Sequence, residues 1–254
     1  MKRNMCLALL VAVTTATVNL AVAAPGSADV ECRYSMHHGP SLESTLLAAD
    51  IPVHVNGITA AKPYNAPFQL VQPHWSIVGL RPLIGTNYDL GLEDCDFGHP
   101  HGKSILPGSL VDFLALDGNQ PIKSRMFASV SNAGEAVGTF ALEYSTGVPL
   151  VRGSQRLVMR GTPALVRDVY VPAGTSATII LRPTFGDADL AVVESGSTQD
   201  SWVRARADAV QESSQPGLAE EHITLTVPAG TPSRTFGVVV INNAAYTEAI
   251  LLRA

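Results

Sequence analysis

Leu80-Arg81-Pro82 leading to Asp89-Leu90 returns about 100 residues later as Leu181-Arg182-Pro183 leading to Asp189-Leu190. Further along, Ser131-Asn132-Ala133 followed by the apolar run Thr139 to Leu142 is echoed by Asn242-Asn243-Ala244 followed by Ala249 to Leu252. Two echoes in the same order demand a unit that folds twice, which excludes most single-core architectures before any element is assigned.

The unit is built of strands. Ala177 to Leu181, His222 to Val227 and Phe236 to Ile241 have the length and β-branched content of strands, and Ile223, Leu225 and Val227 alternate with Thr224 and Thr226 as on a strand with one buried face. Pro172-Ala173-Gly174-Thr175 and Pro228-Ala229-Gly230-Thr231 are the same turn written twice, and fit a type II turn with Pro at the first central position or a neighbouring variant. With 21 Gly, 17 Pro and 46% hydrophobic residues, turns are frequent and the core is ample. Helix is expected in only a few stretches, among them Ser41 to Ala49 and Asp200 to Gln211. The sequence therefore predicts an all-β chain of two tandem antiparallel, jelly-roll-like β-sandwiches, at Ile51–Thr146 and Leu157–Ala254. Gly147–Arg156 links them and Ala24–Asp50 extends the first. The second unit has about ten extra residues between its echoed motifs, placed as a loop insertion in the polar stretch Ser195 to Gly217.

Met1-Lys2-Arg3-Asn4 is a short basic start, Cys6 to Val18 an apolar stretch of secretory length, and Ala21-Val22-Ala23 a cleavage site, so residues 1–23 read as a signal peptide and the mature chain as starting at Ala24. The protein is expected to be exported, periplasmic or extracellular, with no transmembrane segment in the mature chain, because no later apolar run reaches the 18 or so residues of a membrane helix. Losing Lys2 and Arg3 takes the net charge from −5 to −7. That balance excludes nucleic acid as a partner, since no basic stripe exists to displace counterions from phosphates. Losing Cys6 leaves Cys32 and Cys95, an even pair in an exported chain, hence an expected disulfide. Closing its circuit of roughly 60 residues is worth about 4 kcal/mol on chain-entropy grounds.

The order Val171-Pro172-Ala173-Gly174-Thr175, Thr178 to Leu181, Gly186-Asp187-Ala188-Asp189-Leu190, then Thr224 to Gly230 resembles the bacterial pre-peptidase C-terminal domain. In the first unit the matching stretch, Gly85 to Leu90, keeps Asp89-Leu90 but has Asn87 where an acid would stand, and the closing strand Arg234 to Val238 lacks the family's Gly-Thr-Tyr-Tyr pattern. The resemblance implies a non-catalytic β-sandwich of bacterial origin, of the kind appended to secreted hydrolases, some of which bind calcium.

Candidate chemistry is thin beside this architecture. Asp187 and Asp189, spaced to share a strand face, are candidate calcium ligands, as are Asp89, Asp94 and Asp96; the other reading is that these acids cap turns. His37, His38, His99 and His101 form two clusters just beyond the cysteines and offer an alternative zinc or copper site, against ordinary solvated loop histidines. Trp202, in the inserted loop, is the candidate ligand-contact residue, whereas Trp75 reads as core. No Gly-x-Ser-x-Gly elbow or His-Glu-x-x-His is present, so the chain is read as no enzyme, with an unmarked secreted hydrolase as the remaining alternative. The expected function is binding of a macromolecule or a cell-envelope component, with calcium as a possible structural cofactor.

Overall fold

The computed structural model describes residues 42–43, 46–56, 58, 63–71, 73–83, 85–94, 100–120, 125–134, 136–195 and 202–254. The expected signal peptide, the Cys32–Cys95 bond, Asp96 and the histidines His37, His38 and His99 lie outside these residues, and Asp94 is described in its backbone only.

In chain order the strands are β1 (Leu42–Glu43), β2 (Val53–Asn56), β3 (Tyr64–Gln69), β4 (Trp75–Leu83), β5 (Tyr88–Asp94), β6 (Pro100–Ser104), β7 (Asp112–Asp117), β8 (Arg125–Asn132) and β9 (Thr139–Thr146). The second half continues with β10 (Val148–Pro149), β11 (Gly153–Arg160), β12 (Ala164–Val171), β13 (Thr175–Phe185), β14 (Ala188–Val193), β15 (Val203–Ala205), β16 (Gln211–Ser213), β17 (Glu221–Val227), β18 (Arg234–Asn242) and β19 (Tyr246–Arg253). The chain is all-β, and no helix among the described residues is long and apolar enough to cross a membrane.

Four sheets result. The first half forms β1-β3-β8-β5-β6 and β2-β9-β4-β7, and the second forms β10-β12-β18-β14-β16 and β11-β19-β13-β17. Read side by side, the two strand orders are the same. The one extra strand is β15, which comes from the second half's insertion yet pairs antiparallel with β7, Val203 opposite Leu116, and so completes a first-half sheet. Each sheet pair encloses its own core: Phe68, Leu80, Leu90, Leu114 and Phe140 belong to the first, Val169, Leu181, Leu190, Leu225 and Val240 to the second. The expected alternation on β17 is present, with Ile223, Leu225 and Val227 buried and Thr224 and Thr226 exposed.

A third core joins the halves. On β4, Val78 and Leu80 enter the first core while Trp75 and Ile77 face the other way; on β18, Val238 and Val240 enter the second core while Val239 and Ile241 face out of it. Trp75, Ile77, Phe113 and Ala115 pack there against Ala164, Val166, Ala191, Val193, Val239 and Ile241. Strands buried on both faces read as continuous apolar runs, which explains Phe113 to Leu116 and Val238 to Ile241.

Four local expectations are corrected. The described parts of Ser41–Ala49 are not helical, because Leu47 is buried with its N–H bonded to Pro67 O and Ala49 bridges to Tyr144. Within Asp200–Gln211 the free edge of β7 draws Val203–Ala205 into a strand, followed by one 3-10 turn at Arg206–Asp208. The downstream echo is shifted by one residue: Asn132 corresponds to Asn242, since Tyr88 pairs with Asn132 and Ala188 with Asn242. Each accepts the N–H two residues on, from Gly134 at 2.9 Å and Ala244 at 3.1 Å, fixing the turn that follows. In the repeated turns Pro172 and Pro228 stand one position earlier than a type II turn prefers, accepting the N–H of Thr175 and Thr231, with Gly174 and Gly230 at φ +71° and +83°.

The junction also buries charge. Arg81 donates to Ala244 O and to Gly161 O, the latter at 3.2 Å, and Glu143 is 2% exposed. Burial pushes the Glu143 carboxyl up to about 7, assisted by Asp50 and opposed by the Thr162 hydrogen bond and the charge of Arg81. Burial likewise lifts Asp112 to about 6, opposed by its Ser104 hydrogen bond and assisted by the neighbouring Asp89. Both values lie above those of an unfolded chain, so the native state binds these protons more tightly, and stability is lost as pH rises from about 4 through about 7. The urea midpoint is expected to fall between pH 5 and pH 8, and Glu143→Gln to remove most of that slope; an unchanged slope in the variant contradicts the assignment.

Candidate functional site

The ends of β7 and β14 and the starts of β4 and β18 meet beside the junction core, and a cleft opens there. Its larger part is a trough of about 770 Å³ lined by Asp117, Asn119, Glu194, Ser195, Pro232, Ser233, Arg234 and Thr235. It adjoins a pit of about 270 Å³, walled by Pro73, His74, Pro149, Leu150, Val151, Asp168, Tyr170 and Arg253, through the shared residues Asn119 and Thr235. Clefts of this size at the meeting of two packed units are the usual place for a ligand.

The rim is held by contacts across the junction. Asp168 on β12 reaches into the first half, where Oδ1 accepts the Trp75 N–H at 3.1 Å and Oδ2 lies 2.5 Å from His74 Nδ1. Trp75 Nε1 donates back to Thr235 O at 3.3 Å. Two glycines permit this closeness: a Cβ on Gly118 would sit 2.2 Å from His74 O, and one on Gly147 would sit 2.7 Å from Asp168 Oδ1. Arg253 crosses behind the pit, donating to Leu150 O and Tyr170 O, both at 2.6 Å. Burial lowers the Arg253 pKa, and Arg152 adds to that.

The trough mixes polar and apolar surface, and its charges nearly balance. Arg234 pairs with Glu194 at 2.9 Å, and Asp117 Oδ1 accepts both the backbone and the side-chain N–H of Asn119. Ser233 Oγ accepts the Ala173 N–H, and Ser195 Oγ is buried with no hydrogen-bond partner. Thus the His74–Asp168 pair has neither trough serine bonded to it. His74 and Asp168, 94 residues apart, belong to no motif, and sequence reasoning missed them.

Of the acids singled out in the sequence, Asp187, Asp189 and Asp89 do not line this cleft. Asp187 Oδ1 accepts the Gly217 N–H at 2.9 Å. Asp189 is 3% exposed, accepts from Asn243 at 2.8 Å and lies 3.6 Å from Arg206, which also meets Glu212 at 2.5 Å and Val111 O at 3.1 Å. Burial raises the Asp189 pKa, the Asn243 and Ser214 hydrogen bonds and Arg206 lower it, and Asp187 raises it. Asp89, the counterpart of Asp189, meets Lys103 at 3.1 Å through Oδ2, while its Oδ1 and Asp112 Oδ2 are buried without hydrogen-bond partners. Among the described residues no three His, Cys, Asp or Glu side chains gather as a metal site. His101 packs against Trp202 with ring centroids 4.8 Å apart and the planes tilted by 48°, and Trp202 is half-buried against the first core, its carbonyl accepting the Asp117 N–H. Trp75 is fully buried.

No protein-family model and no curated protein matches the chain. Solved structures with similarity include the pre-peptidase C-terminal domain of a Bacillus anthracis collagenase, at 10% identity and TM-score 0.32, covering 41% of this chain and 94% of that one. The CUB1-EGF-CUB2 region of human MASP-1/3 aligns at 8% identity and TM-score 0.23, covering 81% of this chain and 100% of that one. At such scores these likenesses carry no functional content. What the strands themselves establish is an all-β protein of two sheet pairs with the same strand order, joined by a third core that carries a cleft at its rim.

Proposed function

We propose that the chain is an exported, non-catalytic binding protein that attaches to an extracellular or cell-envelope macromolecule through the junction cleft. The observation that supports this most directly is the trough of about 770 Å³ framed by both halves and held by the Asp168 contacts to His74 and Trp75. A binding site on docked sheets is pre-organised, so little ordering entropy opposes the ligand. Co-sedimentation with isolated peptidoglycan sacculi and with whole-envelope fragments tests the reading. The wild-type mature protein is expected in the pellet, and Ser233→Trp, which fills the trough, in the supernatant; equal partition of the two overturns the cleft as the site.

A second reading, a structural calcium ion, has its support in the first half. Asp89 Oδ1 and Asp112 Oδ2 are hard ligands buried without hydrogen-bond partners, while Lys103 lies 3.1 Å from the other oxygen of Asp89. Backbone carbonyls and water would have to complete such a site. The melting temperature is then expected to rise with calcium and fall with EDTA in the wild type, and to respond to neither in Asp89→Asn.

A further inference from the structure

We infer that the junction cleft accepts an uncharged oligosaccharide, with one sugar ring in the pit and the following residues along the trough. The inference rests on the proposed binding reading and adds the chemical class of the ligand.

The charges are the first reason. In the trough Glu194 is ion-paired with Arg234, and Asp117, whose Oδ1 accepts both N–H groups of Asn119, is the one carboxylate without a cation beside it, so a basic peptide meets a single carboxylate and no row. Arg253 donates through Nη1 and Nη2 to two backbone carbonyls and its Nε is buried, so these groups are turned to the protein and not to a ligand. What remains available is neutral donors and acceptors from Asn119, Ser195 and Thr235, the groups that pair with hydroxyls. Ser195 Oγ, buried and without a partner, is a polar atom with unmet hydrogen-bonding capacity on the trough lining.

Shape is the second reason. The pit is walled by Pro73, Pro149 and Tyr170, and Tyr170 is 54% exposed although Thr235 opposite it is half-buried. An exposed tyrosine flanked by proline rings, opening into the trough, suits a ligand with an apolar ring face and hydroxyl edges. The trough offers polar and apolar surface in near-equal measure and the pit is the more apolar of the two, the mix that an amphipathic ring presents.

The test uses the full mature protein and isothermal titration calorimetry with maltohexaose, cellohexaose, chitohexaose and mannohexaose, alongside polygalacturonate and a lysine-rich peptide as charged probes. At least one neutral hexasaccharide is expected to bind, with Tyr170→Ala and Asn119→Ala each weakening it about tenfold or more while thermal melting stays within a few degrees of wild type. Binding of only a charged probe, lost in the same variants, overturns the neutral-glycan class but keeps the cleft. Neutral-sugar binding untouched by both variants overturns the cleft, and binding of no probe overturns the glycan proposal outright.

Discussion

Replacing Arg206 by methionine is expected to lower the free energy of unfolding by about 3–5 kcal/mol at neutral pH, the cost of leaving buried charge uncompensated. Arg206 follows directly on β15, and its side chain is only 10% exposed while it meets Asp189, Glu212 and Val111 O. Glu212, at 34%, can turn to water when the guanidinium is gone; Asp189, at 5%, cannot. The penalty therefore sits on Asp189. Since burial already raises that carboxyl, its protonation at low pH relieves the variant, and the difference from wild type should shrink toward pH 4. Asp189→Asn in the Arg206→Met background should recover more than half of the loss. Urea unfolding of the four proteins at pH 4.5 and 7.5 reads both expectations, and a loss that is independent of pH and unrelieved by the second change contradicts a role in charge compensation.

Trp75→Ala should cost about as much, 3–5 kcal/mol, by opening a cavity in the junction core. Trp75 is fully buried, its Nε1 is bonded to Thr235 O, and Gly237 packs so near that a Cβ there would lie 2.9 Å from the indole Cδ2. The consequence extends beyond stability, because Trp75 belongs to the third core and not to either sandwich's own. With that core weakened, the halves have separate cores to rely on, and one cooperative transition should split into two. Trp202, the remaining tryptophan, reports on the first half, while far-UV circular dichroism reports on both. Coincident transitions by the two probes in Trp75→Ala would refute the coupling.

How far the residues spoke for themselves is clearest in the repeat. Leu80 and Leu181 both enter a core, each on a strand that pairs with the last strand of its half, as an echoed motif should. Arg81 and Arg182 are identical in sequence and opposite in fate: Arg81 is buried against Ala244 O and Gly161 O, and Arg182 is solvent-exposed beside Glu220. The difference comes from what lies beyond each sheet, a second sandwich in one case and water in the other. Trp202 shows the same limit, since its polar neighbours suggest an exposed loop, yet the segment it begins finds the open edge of β7.

The candidate site was harder still. Asp89 and Asp189 were marked by their motif, but Arg206 beside Asp189 and Asp112 beside Asp89 come from other strands and turns. His74 and Asp168 carry no local signature, and only the meeting of two sheets makes them neighbours.

By itself, the sequence determined the all-β class, the alternating faces of strands such as β17, and the turn written twice, because period-two burial and turn chemistry are local properties. The tertiary structure alone decided that the two halves share a third core, that an insertion in the second completes a sheet of the first, and that a cleft opens where they meet. An apolar run such as Val238 to Ile241 states that both faces of a strand must be covered. Which surface covers the second face depends on shape and edge complementarity between segments far apart in the chain, and no residue pattern within either segment encodes it.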